Sequence, residues 1–206
     1  MITCQRAIEC IRSHPPLQVL DYPDAGLASA EAGFSCVKFN LIDKIESLSD
    51  DRIVAVKSVS LAEEYLADHF PTFPVLPGVM MLEAVTQAGA WLLHRRYDFA
   101  CSMAVLKEAR NVKYGRFVAP GNFLRVDVEL FKLTESGAVF KAIGSVGQGS
   151  SGSGVPAGDA QALSARVELA YFNLADKQPE LADIDGRLRD HNRRRWDVLR
   201  QAGIGL

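Results

Sequence analysis

The sequence predicts an α+β protein in which one antiparallel sheet wraps a single long, buried helix. Three observations carry this. The stretch from about residue 77 to 96, "PGVMMLEAVTQAGAWLLHRR", places apolar side chains on every face of a helix, and a helix apolar all round is buried. "RIVAVKSVSL" before it and "FLRVDVELFKL" after it alternate apolar and polar residues with the period of half-buried strands. More strand-like runs follow, so the order is strands, one helix, then a series of antiparallel strands.

Taken along the chain, residues 3 to 12 form a short helical candidate that Pro15 and Pro16 end. "QVLDYPDAGLASAEAG" is weakly patterned, and "SCVKFNLIDKIESL" reads as strand and turn. "AEEYLADHFPTFPVLPG" is too rich in proline for regular structure; it is a built loop that delivers the chain to the helix, with Pro77 in the first helical turn. After the helix come "SMAVLKEARNVKYG", a turn at "APGN", "FLRVDVELFKL", "AVFKAIGSVG" and "ALSARVELAYFNL". The last two flank a Gly/Ser-rich hairpin loop at about 147 to 160. Residues 183 to 202 read as an exposed, charged helix with Leu188, Trp196 and Leu199 along one side. The organisation expected is an extension over 1–36, a domain over 37–175 and a charged helical extension over 176–206.

The bulk numbers narrow the function classes. With 206 residues, 48% of them hydrophobic and 23% charged, the chain can build one real core. A net charge of -2 and a pI near 6.1 argue against a nucleic-acid-binding surface. Cys4, Cys10, Cys36 and Cys101 show neither a CxxC pair nor clustering with histidine, so reduced thiols and no metal are expected. The N-terminus lacks the apolar core and cleavage site of a signal peptide, and no run is long enough for a membrane span. A soluble, cytoplasmic protein with no membrane partner is expected.

The chemistry concentrates in "HFPTFPVLPGVMMLE", which begins on His69 and ends on Glu83 with almost nothing polar between. Glu83 and Gln87 lie one helical turn apart on the same face, so the amide can orient the carboxyl. Burial on a helix with no cation nearby in sequence favours the neutral carboxylic acid, the form a general acid requires. His69 sits in the proline-rich loop, where a backbone carbonyl could select its tautomer and leave the other nitrogen as a base. Gly78 falls at the helix N-terminus, where an unpaired N–H and the positive dipole end can hold a developing oxyanion. Each residue alone also has a plain structural role: histidine as packing, glutamate paired with a distant arginine, glycine relieving crowding.

The stretch "HFPTFPVLPGVMMLEAVTQA" resembles the active-site segment of the 3-hydroxyacyl-acyl carrier protein dehydratases of the FabZ type, with the pattern H-F-P-G-x-P-x-x-P-G-V-x-x-x-E-A-x-x-Q. His69, Phe70, Pro71, Pro74, Pro77, Gly78, Val79, Glu83, Ala84 and Gln87 match it. "FNLIDKI", "RIVAVKSVS" and "VKYGRFVAPGN" extend the resemblance over roughly residues 38 to 173. Asp68 and Thr72 stand where the family usually has glycine, Phe117 where it has proline, and Asn122 where it has aspartate.

The resemblance implies a hot-dog fold and reversible dehydration of a (3R)-3-hydroxyacyl thioester, with no metal or organic cofactor. It implies His69 as the base at C2 and Glu83 as the acid on the leaving hydroxyl. The Gly78 N–H would polarise the thioester carbonyl, with Val79 beside it in the substrate-binding set. The Val75 carbonyl would orient His69, and Gln87 would position Glu83. It further implies a homodimer in which His69 of one subunit meets Glu83 of the other; a hexamer stays open. An acyl thioesterase on the same fold and a non-catalytic acyl-binding protein are the alternatives. Lys107, Arg110, Lys113 and Arg116, with Arg95 and Arg96, form a candidate docking patch for an acidic acyl carrier protein.

Overall fold

The alternating runs pair into one antiparallel sheet in the computed structural model, which describes residues 39–70, 72–148 and 160–203. The strands are β1 (Lys44–Leu48), β2 (Arg52–Ser58), β3 (Met103–Tyr114), β4 (Asn122–Thr134), β5 (Gly137–Gln148) and β6 (Gln161–Phe172). Their order across the sheet is β1-β2-β4-β5-β6-β3. Helix α1 (Tyr65–Asp68) is a single turn, α2 (Gly78–Arg96) is the long central helix, and α3 (Ala182–Gly203) follows the sheet. The helical candidate at 3 to 12, three of the four cysteines and most of the Gly/Ser-rich stretch lie outside the described residues.

Period-2 patterning sets the inner face of the sheet. Leu124, Val126 and Val128 on β4, Ala138 and Phe140 on β5, and Leu163, Val167 and Leu169 on β6 are fully buried. They pack in one core with Met81, Ala84, Val85, Ala88 and Leu92 of α2. Each large side chain so buried contributes roughly 1.5–3 kcal/mol. The small residues of α2 let the helix lie close to the sheet: a Cβ on Gly89 would sit 3.1 Å from Leu169 Cδ1. Thr86 satisfies its hydroxyl within the helix by donating to the Leu82 carbonyl.

Three expectations about the loop and the central helix need correction. Pro77 precedes the helix as its N-cap, with extended backbone at ψ 141°, and Gly78 is the first helical residue. The proline-rich loop is not wholly irregular, because α1 forms immediately before His69. The central helix also keeps one incompletely covered stripe: Val79 is 68% exposed, and Met80, Glu83, Gln87 and Ala90 are half-buried. A helix apolar on every face is therefore not fully covered within one chain.

The charged C-terminal helix is docked rather than exposed. Asp185, Asn192, Trp196 and Leu199 recur at helical spacing on one face of α3. Asp185, Trp196 and Leu199 are buried, and the Trp196 ring lies 6.1 Å from that of Trp91 on α2. Asp185 accepts the Ser102 hydroxyl and the N–H groups of Leu174 (2.9 Å) and Ala175 (2.8 Å). Burial pushes this carboxyl up, and those donors more than offset it, leaving it below the usual range. Average polarity misleads here because three or four inward residues suffice to seat a helix.

Candidate active site

The site is built around the N-terminal half of α2. Leu76 and Gly78 bring the chain in: the Leu76 N–H donates to the Val118 carbonyl at 2.8 Å, tying the entry loop to the segment after β3. Gly78 then lies under the Tyr114 ring, and a Cβ there would approach Tyr114 Cε1 to 2.9 Å. A side chain at 78 would displace that ring. Met80 and Met81 both donate to the Pro77 carbonyl, while the first helical N–H, that of Gly78, has no partner among the described residues. Helix N-termini leave such donors free by construction.

Glu83 stands on the half-buried stripe of α2, and Gln87 Nε2 donates to its Oε1 at 2.9 Å. The amide also reaches the chain before β1: Nε2 donates to the Phe39 carbonyl at 3.0 Å, and Oε1 accepts the Leu41 N–H at 2.9 Å. Phe39 and Leu41 are thus partners of the site that spacing alone does not reveal. His69 is half-buried at the end of α1, its N–H donating to the Tyr65 carbonyl at 3.1 Å. Its ring leans on Phe70, centroids 4.3 Å apart, and its nitrogens hydrogen-bond to no described residue. Phe70 itself takes φ 52°, the left-handed region.

Val75 is buried in the loop between the two. His69 and Glu83 form no ion pair with each other among the described residues. Around Gly78 the apolar surface is open. Phe73 and Phe117 meet edge to face at 5.6 Å, and Phe117 is 64% exposed, with Phe70, Val79 and Tyr114 also exposed. No three His, Cys, Asp or Glu side chains converge on a metal-binding arrangement among the described residues. No helix among them is long and apolar enough to cross a membrane.

The six cations of the candidate docking patch stand in different surroundings. Arg95 and Arg96 end α2, roughly 27 Å along the axis from Gly78 at 1.5 Å per residue. Arg96 donates to the Asp50 carbonyl at 2.6 Å, and Arg95 lies over the Trp196 ring at 5.2 Å. Lys107 pairs with Glu168, and Arg110 with Glu108. Lys113 and Arg116 flank Tyr114 and are exposed, with no ion pair among the described residues.

An antiparallel sheet wrapped around one long helix is the hot-dog class of fold. The dehydratase heterocomplex ApeI:P from Xenorhabdus doucetiae has the same fold, with a TM-score of 0.52 at 18% identity over 69% of this chain and 90% of that one. The FabA-like domain model matches residues 35–148, more than half of the sequence, and the chain belongs to that family. It is 40% identical over 134 residues to the 3-hydroxyacyl-[acyl-carrier-protein] dehydratase FabZ of Pelotomaculum thermopropionicum, covering 65% of this chain and 86% of the relative. The FabZ of Clostridium perfringens is 37% identical over 108 residues, covering 52% of this chain and 78% of the relative.

Proposed function

We infer that this protein catalyses the reversible dehydration of (3R)-3-hydroxyacyl thioesters, carried on acyl carrier protein, to trans-2-enoyl thioesters in fatty acid biosynthesis. The observation that carries the inference is the Glu83 carboxyl, clamped by Gln87 on the open stripe of an otherwise buried helix, five residues from the Gly78 N–H, which has no partner among the described residues. His69 takes the proton from C2, the electron pair forms the C2=C3 bond, and the C3–O bond breaks. Glu83 protonates the departing hydroxyl, so water leaves. The Gly78 N–H stabilises the charge on the thioester oxygen, with Val79 lining the acyl path; the expected hydrogen bond between the His69 ring and the Val75 carbonyl is not among those of the described residues.

The working unit is a homodimer, with His69 of one subunit facing Glu83 of the other. It is supported by the open apolar surface around Gly78, by the half-covered stripe of α2, and by the long β3 strand at the sheet edge, since exposed edges and apolar patches ask for a partner. A cytoplasmic location fits a carrier-bound substrate.

The test is to incubate the protein with 3-hydroxybutyryl and crotonyl thioesters and follow enoyl absorbance together with free thiol. His69→Ala and Glu83→Gln are each expected to lower kcat by at least 10²-fold with the fold intact, the usual scale for acid–base groups. Thiol release without enoyl turnover would instead indicate a thioesterase.

A further inference from the structure

Lys57 ends the inner face of β2 at 6% exposure, and lysine is almost never so buried unless it is paired. Its Nζ donates to Glu63 Oε1 at 2.8 Å and to the Ser58 carbonyl at 2.6 Å, with Asp43 Oδ2 3.9 Å away. Glu63 is saturated in turn. Its Oε1 also accepts the Ser60 N–H at 3.1 Å, and its Oε2 accepts the Tyr65 hydroxyl. Burial pushes the Glu63 carboxyl up, and the donors from Lys57, Tyr65 and Ser60 outweigh it, holding the group below the usual carboxylate range. Burial, then the bond to Glu63, pushes the Tyr65 phenol up, so it stays a donor.

This network ends at the site. Helix α1 has four residues, and a single turn carries the cost of nucleation without the gain of propagation. It is held from outside, at Tyr65 by the hydroxyl on Glu63 and at Leu66 by burial in the core. The Tyr65 carbonyl then accepts the His69 N–H. The start of the same segment is clamped by backbone: Val59 N–H donates to the Asn122 carbonyl at 3.0 Å, and Gly121 N–H to the Val59 carbonyl at 2.9 Å. Phe70, directly after His69, holds a left-handed backbone that persists only where the surroundings impose it. His69 is therefore placed by a chain of contacts that begins at Lys57.

We propose, taking His69 as the base inferred above, that Lys57, Glu63 and Tyr65 are positioning residues that set the place of the imidazole without touching substrate. Charge is used because it fixes one geometry; as a source of stability a buried ion pair is weak, and replacing both partners by neutral groups is often tolerated. Geometry and stability can therefore be separated. Misplacing a catalytic group by about 1 Å can cost about 10²-fold in rate.

The experiment compares the full-length protein with the double variant Lys57→Met/Glu63→Gln, which leaves no unpaired buried charge, and with Tyr65→Phe. The expected result is a kcat lowered about 10- to 100-fold in the double variant and less in Tyr65→Phe, with KM within about twofold and Tm nearly unchanged. The imidazole NMR signal of His69, assigned by comparison with His69→Ala, shifts or broadens while that of His94 stays. An unchanged kcat with an unmoved His69 signal overturns the proposal. So does a fall in kcat matched by a large fall in Tm with the His69 signal unmoved, which marks a structural role alone. Should the unmodified protein show no dehydration, the assignment of His69 as base fails separately. The His69 signal still decides whether the anchor positions that side chain: moved, it stands; unmoved, it falls.

Discussion

Gln87 Nε2 lies 2.9 Å from Glu83 Oε1, and the same amide holds the Phe39 carbonyl and the Leu41 N–H. One side chain thus fixes the carboxyl of the site and ties the strand-leading segment to the central helix. Gln87→Ala removes all three contacts. We expect kcat to fall about 10- to 100-fold, because a rotating carboxyl no longer meets the leaving hydroxyl in one geometry. Steady-state kinetics on a 3-hydroxyacyl thioester checks this; a kcat within twofold of the unmodified protein would mean the clamp is structural.

His94 makes stability fall on the acid side. It is buried between Tyr171, whose hydroxyl lies 3.4 Å from Nδ1, and Asn192, whose amide lies 3.4 Å from Nε2, with Trp91 and Phe99 against the ring. Arg95 and Arg193 lie over the Phe99 ring of this cage's aromatic wall, at 6.0 and 5.7 Å from its centroid. Burial pushes the imidazole down to about 4 from 6.5. The unfolded chain therefore takes up its proton near pH 6.5 and the folded chain only near 4, so stability present above pH 6.5 drains away as pH drops toward 4. The loss is about 3 kcal/mol at full extent. Calorimetry should show His94→Leu with a lower Tm at pH 7 but a smaller drop between pH 7 and 4.5. Equal drops in both proteins would place the acid sensitivity elsewhere.

Lys113 and Arg116 flank Tyr114, which covers Gly78, whereas Arg95 and Arg96 are engaged at the far end of α2. Reversing Lys113 and Arg116 to glutamate should lower kcat/KM on carrier-linked substrate about tenfold at low salt and less at high salt, since exposed charges steer encounter and are screened. Coenzyme-A-linked substrate should be unaffected, and reversing Arg95 and Arg96 should have little effect on either. Equal losses on both substrates would mean that the two cations only solvate the edge of the sheet.

Val79, which follows Gly78, and Phe117, which meets Phe73 edge to face, are both well exposed apolar side chains. Val79→Glu together with Phe117→Glu places charge on the surface proposed to meet a second copy. Sedimentation is expected to shift the species toward monomer, with loss of turnover, because a charge buried without a partner in an interface costs several kcal/mol. An active monomer would rule out a site shared between subunits.

Much of the site is legible in the sequence because its geometry is local. The Glu83 carboxyl and the Gln87 amide are four residues apart on a helix, and helical geometry alone puts them on one face. The central helix reads clearly because its apolar residues cover most of the circumference, and strand β4 because its alternation marks an inner face; β2 departs from the half-buried strand expected, since Ile53 to Lys57 are buried without a break, on both faces. The helix start is legible to within one residue from Pro77, whose fixed φ and missing N–H suit the end of the loop.

Tertiary structure alone decides which residues meet across the fold. Lys57 reads as an ordinary polar position in an alternating strand, and becomes a buried anchor only when the segment carrying Glu63 folds back over it. Tyr114 reaches Gly78 because β3 closes the sheet edge beside β6, far from its place in the chain order. The charged C-terminal helix is seated by Asp185 on Ser102, Asn192 beside His94 and Trp196 against Trp91. Periodicity records which face of an element is apolar, a property of neighbouring residues. The identity of the group that covers that face, and the burial of any single charge within it, depend on contacts between segments that only chain topology brings together.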